Sequence, residues 1–140
     1  DHGDHHHDHK HSGNELGLAN SLVYLINEGD FAYGLHLHYI RHIKHSRFGL
    51  GVGYERIFDE HKHNTIGPII SFVPIDRWSF SFSPGIMFED EHLNERRLAL
   101  HLETYYEFEL GRICIGPAIE FAYAAHDLHL SFGLHLGFTF

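Results

Sequence analysis

Cysteine is almost missing from this chain of 140 residues. Cys114 stands alone, so no internal disulfide can form and cysteine chemistry offers no function. Lysine and arginine are also scarce, ten against nineteen acidic residues, and the formal charge of −9 argues against nucleic acid as a partner. No apolar run approaches the roughly 18 residues of a transmembrane helix. A phosphate-cradling loop is missing as well: the G-x-G-x-G at Gly49–Gly53 has strand spacing and lacks a following helix. The chain opens on Asp1 without a charged-then-apolar leader, so export would imply a signal peptide removed or left out.

What is present is alternation. From Leu128 to Phe140 the residues Leu128, Leu130, Phe132, Leu134, Leu136, Phe138 and Phe140 take every second position, with His129, Ser131, Gly133, His135, Gly137 and Thr139 between them. Successive strand side chains point to opposite faces, so one face is wholly apolar and the other small or polar. With its final aromatic residue, this segment resembles the last strand of the small eight-stranded bacterial outer-membrane β-barrels, whose terminal Phe is read by the insertion machinery.

The same period-two pattern predicts eight strands, at about 14–27, 31–43, 48–59, 64–74, 77–89, 97–110, 113–125 and 128–140. The small face carries Gly, Ser and Ala with scattered His and Glu, and Lys is nearly absent from the strands. That suits the cramped lumen of an eight-stranded barrel. The large face suits lipid, with Tyr24, Tyr33, Tyr39, Tyr54, Trp78, Tyr106 and Tyr123 as candidate interfacial girdles. A soluble lipocalin-like barrel is the competing fold, but it would show water a face rich in Lys, Glu and Thr. The predicted fold is therefore all-β, an eight-stranded antiparallel up-and-down transmembrane β-barrel with short loops. Residues 1–13 form a flexible His/Asp-rich tail and 14–140 the barrel.

Parity sets the expected topology. With both termini periplasmic, the periplasmic turns are Lys44–Arg47, Pro74–Asp76 and Gly111–Arg112. The outer loops are then Asn27–Asp30, Asp59–Asn64, Asp90–Glu95 and Ala125–Asp127. The expected location is the bacterial outer membrane, with its lipid as the immediate partner.

Histidine is the second anomaly, at seventeen residues. Residues 1–11 read D-H-G-D-H-H-H-D-H-K-H, so His2, His5, His6, His7, His9 and His11 lie among three aspartates. Imidazole and carboxylate together are ligands for Zn²⁺, Cu²⁺ or Ni²⁺, with Zn²⁺ preferred here. A purification tag is the bland alternative, but interspersed Asp and Lys are unlike an engineered run. A second group gathers at the expected outer rim: Asp59, His61 and His63 in one loop, Asp90 and His92 in another, His126 and Asp127 in a third. Its bland reading is a solvated anionic edge.

The third group faces the lumen by parity: His36, His38, His101, His129 and His135 with Glu55, Glu103, Glu107 and Glu120. Small barrels usually satisfy such carboxylates with Arg or Lys, but here nearly every Arg sits at a strand end. Unpaired buried carboxylates are expensive. These acids must therefore be protonated, paired with His⁺, or bound to a cation. Pairing with His⁺ is the plainest expectation and a luminal metal the sharper one.

No catalytic residues are expected. His129-Leu130-Ser131 resembles the His-x-Ser of the outer-membrane lipid A deacylases, but the Glu that completes their triad does not follow. The alternation also turns His129 and Ser131 away from lipid. The expected function is binding or sequestering transition metal at the cell envelope, accessory to uptake or homeostasis, with an envelope metal transporter as a possible protein partner. A purely structural or partner-docking barrel is the alternative.

Overall fold

Strands rich in β-branched and aromatic residues leave backbone donors unpaired unless the sheet closes, and here it closes. The computed structural model describes residues 13–27, 29–58, 62–89, 92–124 and 127–140, the side chains of 92–95 and 127 excepted. The strands are β1 (Asn14–Leu25), β2 (Asp30–His42), β3 (Phe48–Phe58), β4 (His63–Ile75), β5 (Trp78–Glu89), β6 (His92–Tyr106), β7 (Phe108–Leu110), β8 (Ile113–Ala124) and β9 (Asp127–Thr139). All neighbours are antiparallel. β1 pairs with β9, and β6 with β8, so no edge is left.

β6 and β7 are halves of one barrel strand. Ala99↔Ala124, Tyr105↔Ala118 and Phe108↔Ile115 hold one unshifted register along β8. The ladder lapses beside Pro117, which has no N–H to give. Pro117 stands opposite Tyr106, while Glu107 N–H keeps the β5 register and donates to the Arg77 carbonyl at 2.7 Å. The barrel thus has eight strands around its circumference, as the alternation predicts.

The register fixes the geometry. Cross-strand partners lead from Asn14 through Arg41, Leu50, Ile70, Phe82, Leu102, Phe121 and Leu130 back to β1 at Tyr24, a shift of ten residues in one circuit. With about 3.3 Å per residue and about 4.8 Å between strands, that shift tilts the strands by about 40° and gives a backbone diameter of about 16 Å. Twelve or thirteen residues at that tilt rise roughly 30 Å, enough for an apolar band of about 25 Å.

The outward face is predominantly apolar. Leu16, Leu22, Leu37, Leu50, Val52, Ile66, Leu102 and Leu134 are all exposed, and Leu98 and Leu110 reach 68 %. Aromatic pairs gather towards both rims. Tyr24–Phe31 and Tyr33–Phe58 lie at the loop end, Phe48–Phe72 and Trp78–Phe80 at the end where the termini meet. Polar atoms on this face are paired locally. The Tyr33 hydroxyl donates to Asn20, that of Tyr39 to Asn14 and that of Tyr54 to Asn64, while Trp78 Nε1 donates to Thr104 Oγ1 at 2.7 Å. A bilayer core offers no water to such groups, so local pairing is what lipid demands.

Two expected boundaries shift by more than one residue: β6 begins at His92 rather than 97, and β1 ends at Leu25 rather than 27. The others hold to within one residue, β4 beginning at His63 rather than 64. The loops expected at 59–64 and 90–95 are shorter, because the polar residues His63 and His92 still have ladder partners: His63↔Glu89 and Glu89↔His92. At the opposite end the hairpins are tight. Leu110↔Ile113 and Ile75↔Trp78 enclose two residues each, and Gly111 (φ 70°) and Arg77 (φ 75°) supply the positive φ that such turns need.

Candidate functional site

Inward positions carry every polar group of the interior. At the loop end the lumen is closed by apolar side chains: Val23, Ala32 and Ile57 in one cluster, Met87, Ala99 and Ala124 in another. At the terminus end a cavity of about 140 Å³ opens among Glu15, His42, Arg77, Glu107, Glu109 and Cys114. Between plug and cavity, no inward-facing position is Lys or Arg. That stretch is filled by histidine and glutamate.

The layer beside the cavity centres on Glu15. Its carboxylate lies 3.1 Å from His42 Nε2, 3.7 Å from His38 Nε2 and 3.8 Å from His135 Nε2. The His38 and His135 rings stack, 4.9 Å apart and nearly parallel, with their Nε2 atoms 3.2 Å apart. Tyr105 stacks on His135 at 4.1 Å, and His135 Nδ1 faces Glu107 at 3.4 Å.

The next layer runs across β2, β3, β6, β8 and β9. His36 Nδ1 lies 3.2 Å from Glu103, and His101 Nδ1 lies 2.8 Å from Glu120 Oε1 and 3.6 Å from Glu55 Oε2. His129 Nε2 faces Glu55 Oε1 at 3.6 Å, too far for a hydrogen bond. A cavity of about 20 Å³ lies among His36, Glu55, His101, Glu103 and Glu120. Gly53, Gly67, Ser81 and Ser83 line its other side, and their small side chains leave that space open.

Among the described residues, three sets of donors come within 4.8 Å of one another: Glu55, His101, Glu120 and His129; Glu15, His38 and His135; and His36, Glu103 and Glu120. The luminal residues named from the sequence are therefore brought together as two adjoining clusters. Sequence reasoning missed Glu15 because β1 alternates less cleanly, and missed His42 although it shares the inward parity of His36 and His38 on β2. The signal for Glu15 was available too: it shares parity with Gly17, Ala19 and Ser21, all small and inward.

Of the rim residues, His63 is placed 3.3 Å from Glu89, at the loop end of the lumen. The backbones of His92 and Asp127 open β6 and β9, strand positions rather than the expected loops. Asp59, His61, Asp90 and His126 lie outside the described residues, as do His2, His5, His6, His7, His9 and His11 of the tail. His129 and Ser131 are both buried on the lumen side, and Ser131 stands opposite Glu120.

Solved structures share this architecture. Neisserial surface protein A aligns with a TM-score of 0.66 at 10% identity, covering 91% of this chain and 96% of its own. The chain has the fold of an eight-stranded transmembrane β-barrel. A barrel from the de novo design of transmembrane β-barrels aligns at 0.60 with 11% identity, over 90% and 95% of the two chains. Ail, an outer-membrane protein of Yersinia pestis solved in a phospholipid bilayer nanodisc, aligns at 0.60 with 10% identity, over 91% and 99%. No protein-family model and no curated protein matches the chain in sequence. A fold shared at such identity specifies a scaffold, and function has to be argued from the site.

Proposed function

We propose that this barrel sits in a bacterial outer membrane with both termini in the periplasm and binds transition metal there, Zn²⁺ before Cu²⁺ or Ni²⁺. It would serve metal uptake or homeostasis, handing its ion to an envelope transporter. The location is supported by the apolar outward face and by the outer-membrane barrels that share the fold. The metal role is supported above all by the lumen, where buried carboxylates converge on imidazoles rather than on Lys or Arg. The tail supplies six further imidazoles by sequence alone. Imidazole with carboxylate selects borderline metals over Mg²⁺ or Ca²⁺.

The competing reading is a structural or partner-docking barrel in which these residues form His⁺–Glu pairs, and the His36–Glu103 and His101–Glu120 contacts favour it. Metal analysis of the protein purified in detergent separates the two. Stoichiometric Zn²⁺ in the wild-type chain supports metal binding. Substoichiometric metal after Zn²⁺ loading leaves only the structural barrel.

A further inference from the structure

We infer that the lumen holds one divalent transition-metal ion on Glu55, His101, Glu120 and His129. This rests on the metal-binding reading above and names its internal site.

Geometry comes first. Four-coordinate Zn²⁺ with bonds of about 2.0–2.2 Å places its ligand atoms about 3.4 Å apart. The donors here are separated by 2.8 Å (His101–Glu120), 3.6 Å (His101–Glu55) and 3.6 Å (His129–Glu55). Side-chain adjustments of well under a residue's reach would close them on one ion.

Charge is the second argument. Two carboxylates and two neutral imidazoles bring a divalent ion to zero net charge, the condition for holding a cation in a low-dielectric interior. The neighbouring Glu15, His38 and His135 set is poorer. It has one carboxylate, Glu15 is already held by His42, and the His38 and His135 nitrogens face each other.

The independent observation is a set of buried luminal atoms without hydrogen bonds. Glu55 Oε1 and His129 Nε2, which face each other at 3.6 Å, are among them, as are Glu15 Oε1, Glu103 Oε1 and His135 Nδ1. Leaving such groups unsatisfied is costly, and native interiors rarely do so without a reason. Three of the four ligands, Glu55, His101 and Glu120, line a cavity of about 20 Å³, a size that suffices for one water or ion, and His129 Nε2 adjoins it through Glu55 Oε1 at 3.6 Å. His36 and Glu103 then act as outer partners, with Glu103 kept occupied by His36 at 3.2 Å while Glu120 turns to the ion.

The test uses Co²⁺ titration of the full chain in detergent, in a background where His2, His5, His6, His7, His9 and His11 are replaced by Ala. One equivalent should develop the intense visible absorption of four-coordinate Co²⁺. Glu120→Gln and His129→Gln should each abolish it, with affinity falling by more than the roughly 10–100-fold typical of losing an outer partner, while His38→Gln should retain it. A gel shift on boiling verifies that each variant has folded. Should Glu120→Gln fail to fold, X-ray absorption of Zn²⁺ bound to the background protein should show two imidazoles and two oxygen ligands. A background protein without the band, or ligand variants that titrate like it, would overturn the site. If the wild-type chain still binds metal in that case, the tail or the rim is the binder and the broader reading survives. If it binds none, both fail.

Discussion

Glu103 and Glu120 stand directly opposite one another on β6 and β8, 6 % and 7 % exposed. Like charges placed directly across a ladder repel, and burial strengthens the repulsion. Slipping the register by one would remove the clash but would turn every apolar side chain of β6 inward, so the pairing is held by the lipid-facing alternation. Its relief is local: His36 reaches Glu103 from β2, and His101 reaches Glu120 from the same strand as Glu103. Replacing Glu103 by Leu removes the carboxylate 3.2 Å from the buried His36 Nδ1 and is expected to destabilise the metal-free barrel by about 1–3 kcal/mol. Replacing His36 and Glu103 together by Leu should recover much of that loss. Urea unfolding in lipid vesicles reads both, and a double variant no more stable than the single one contradicts pairing.

The outward face makes a depth-dependent prediction. Leu37 lies midway along β2 and is 45 % exposed, whereas Ile75 ends β4 and is 60 % exposed. Arginine at the bilayer midplane costs about 2–4 kcal/mol and near the interface about 0–1 kcal/mol. Leu37→Arg should therefore lower folding stability in vesicles far more than Ile75→Arg. Equal losses, or a wild-type chain that is monomeric in buffer without detergent, would show that this surface does not meet lipid.

Close strand approach can be probed at Gly133. A Cβ built there falls 1.9 Å from the Asn20 carbonyl oxygen, a backbone atom that cannot swing aside. Gly133→Ala must push β9 away from β1 and is expected to cost about 1–3 kcal/mol, as overpacking does. Ser131→Ala, two residues earlier on the same face, removes a hydroxyl that has no hydrogen-bond partner and should be nearly neutral. A difference of less than half a kcal/mol between the two in vesicle unfolding would contradict the tight β1–β9 approach.

Much of this was readable in the sequence because a lipid-facing barrel must repeat one simple rule. Phe132, Leu134 and Leu136 face out and His129, Ser131 and His135 face in, as the alternation requires. Strand number and the inward set of His and Glu followed from the same parity. What parity cannot supply is height. That Glu120 meets Glu55 and His101, rather than a nearer residue in the chain, depends on the ten-residue stagger, which single strands do not encode. The break at Glu107 was legible only in the partner strand, through Pro117, and the early start of β6 was hidden because His92, Asn94 and Glu95 resemble loop residues.

The tail and the rim should behave as separate classes of metal site. The chain enters β1 at Asn14, at the end where Phe140 N–H bonds the Asn14 carbonyl, whereas His63 and His92 open β4 and β6 at the other end. Val23, Ile57, Ala99 and Ala124 close the lumen between them, all but Ile57 and Ala124 essentially without solvent contact, so one ion cannot bridge the two. A solvated imidazole titrates near about 6.5 and binds metal only when deprotonated, so tail affinity should fall steeply as pH drops through about 6. Calorimetric Zn²⁺ titration should be run on four chains: wild type, the six tail histidines changed to Ala, His61, His63 and His92 changed to Ala, and both sets changed. We expect a tail class lost in the first variant and a weaker rim class lost in the second, with any residual ion in the combined variant assigned to the lumen. Loss of all binding with the tail changes alone would make the rim a solvated edge and the lumen a set of ion pairs. Loss of all binding with the rim changes alone would make the tail a passive spacer.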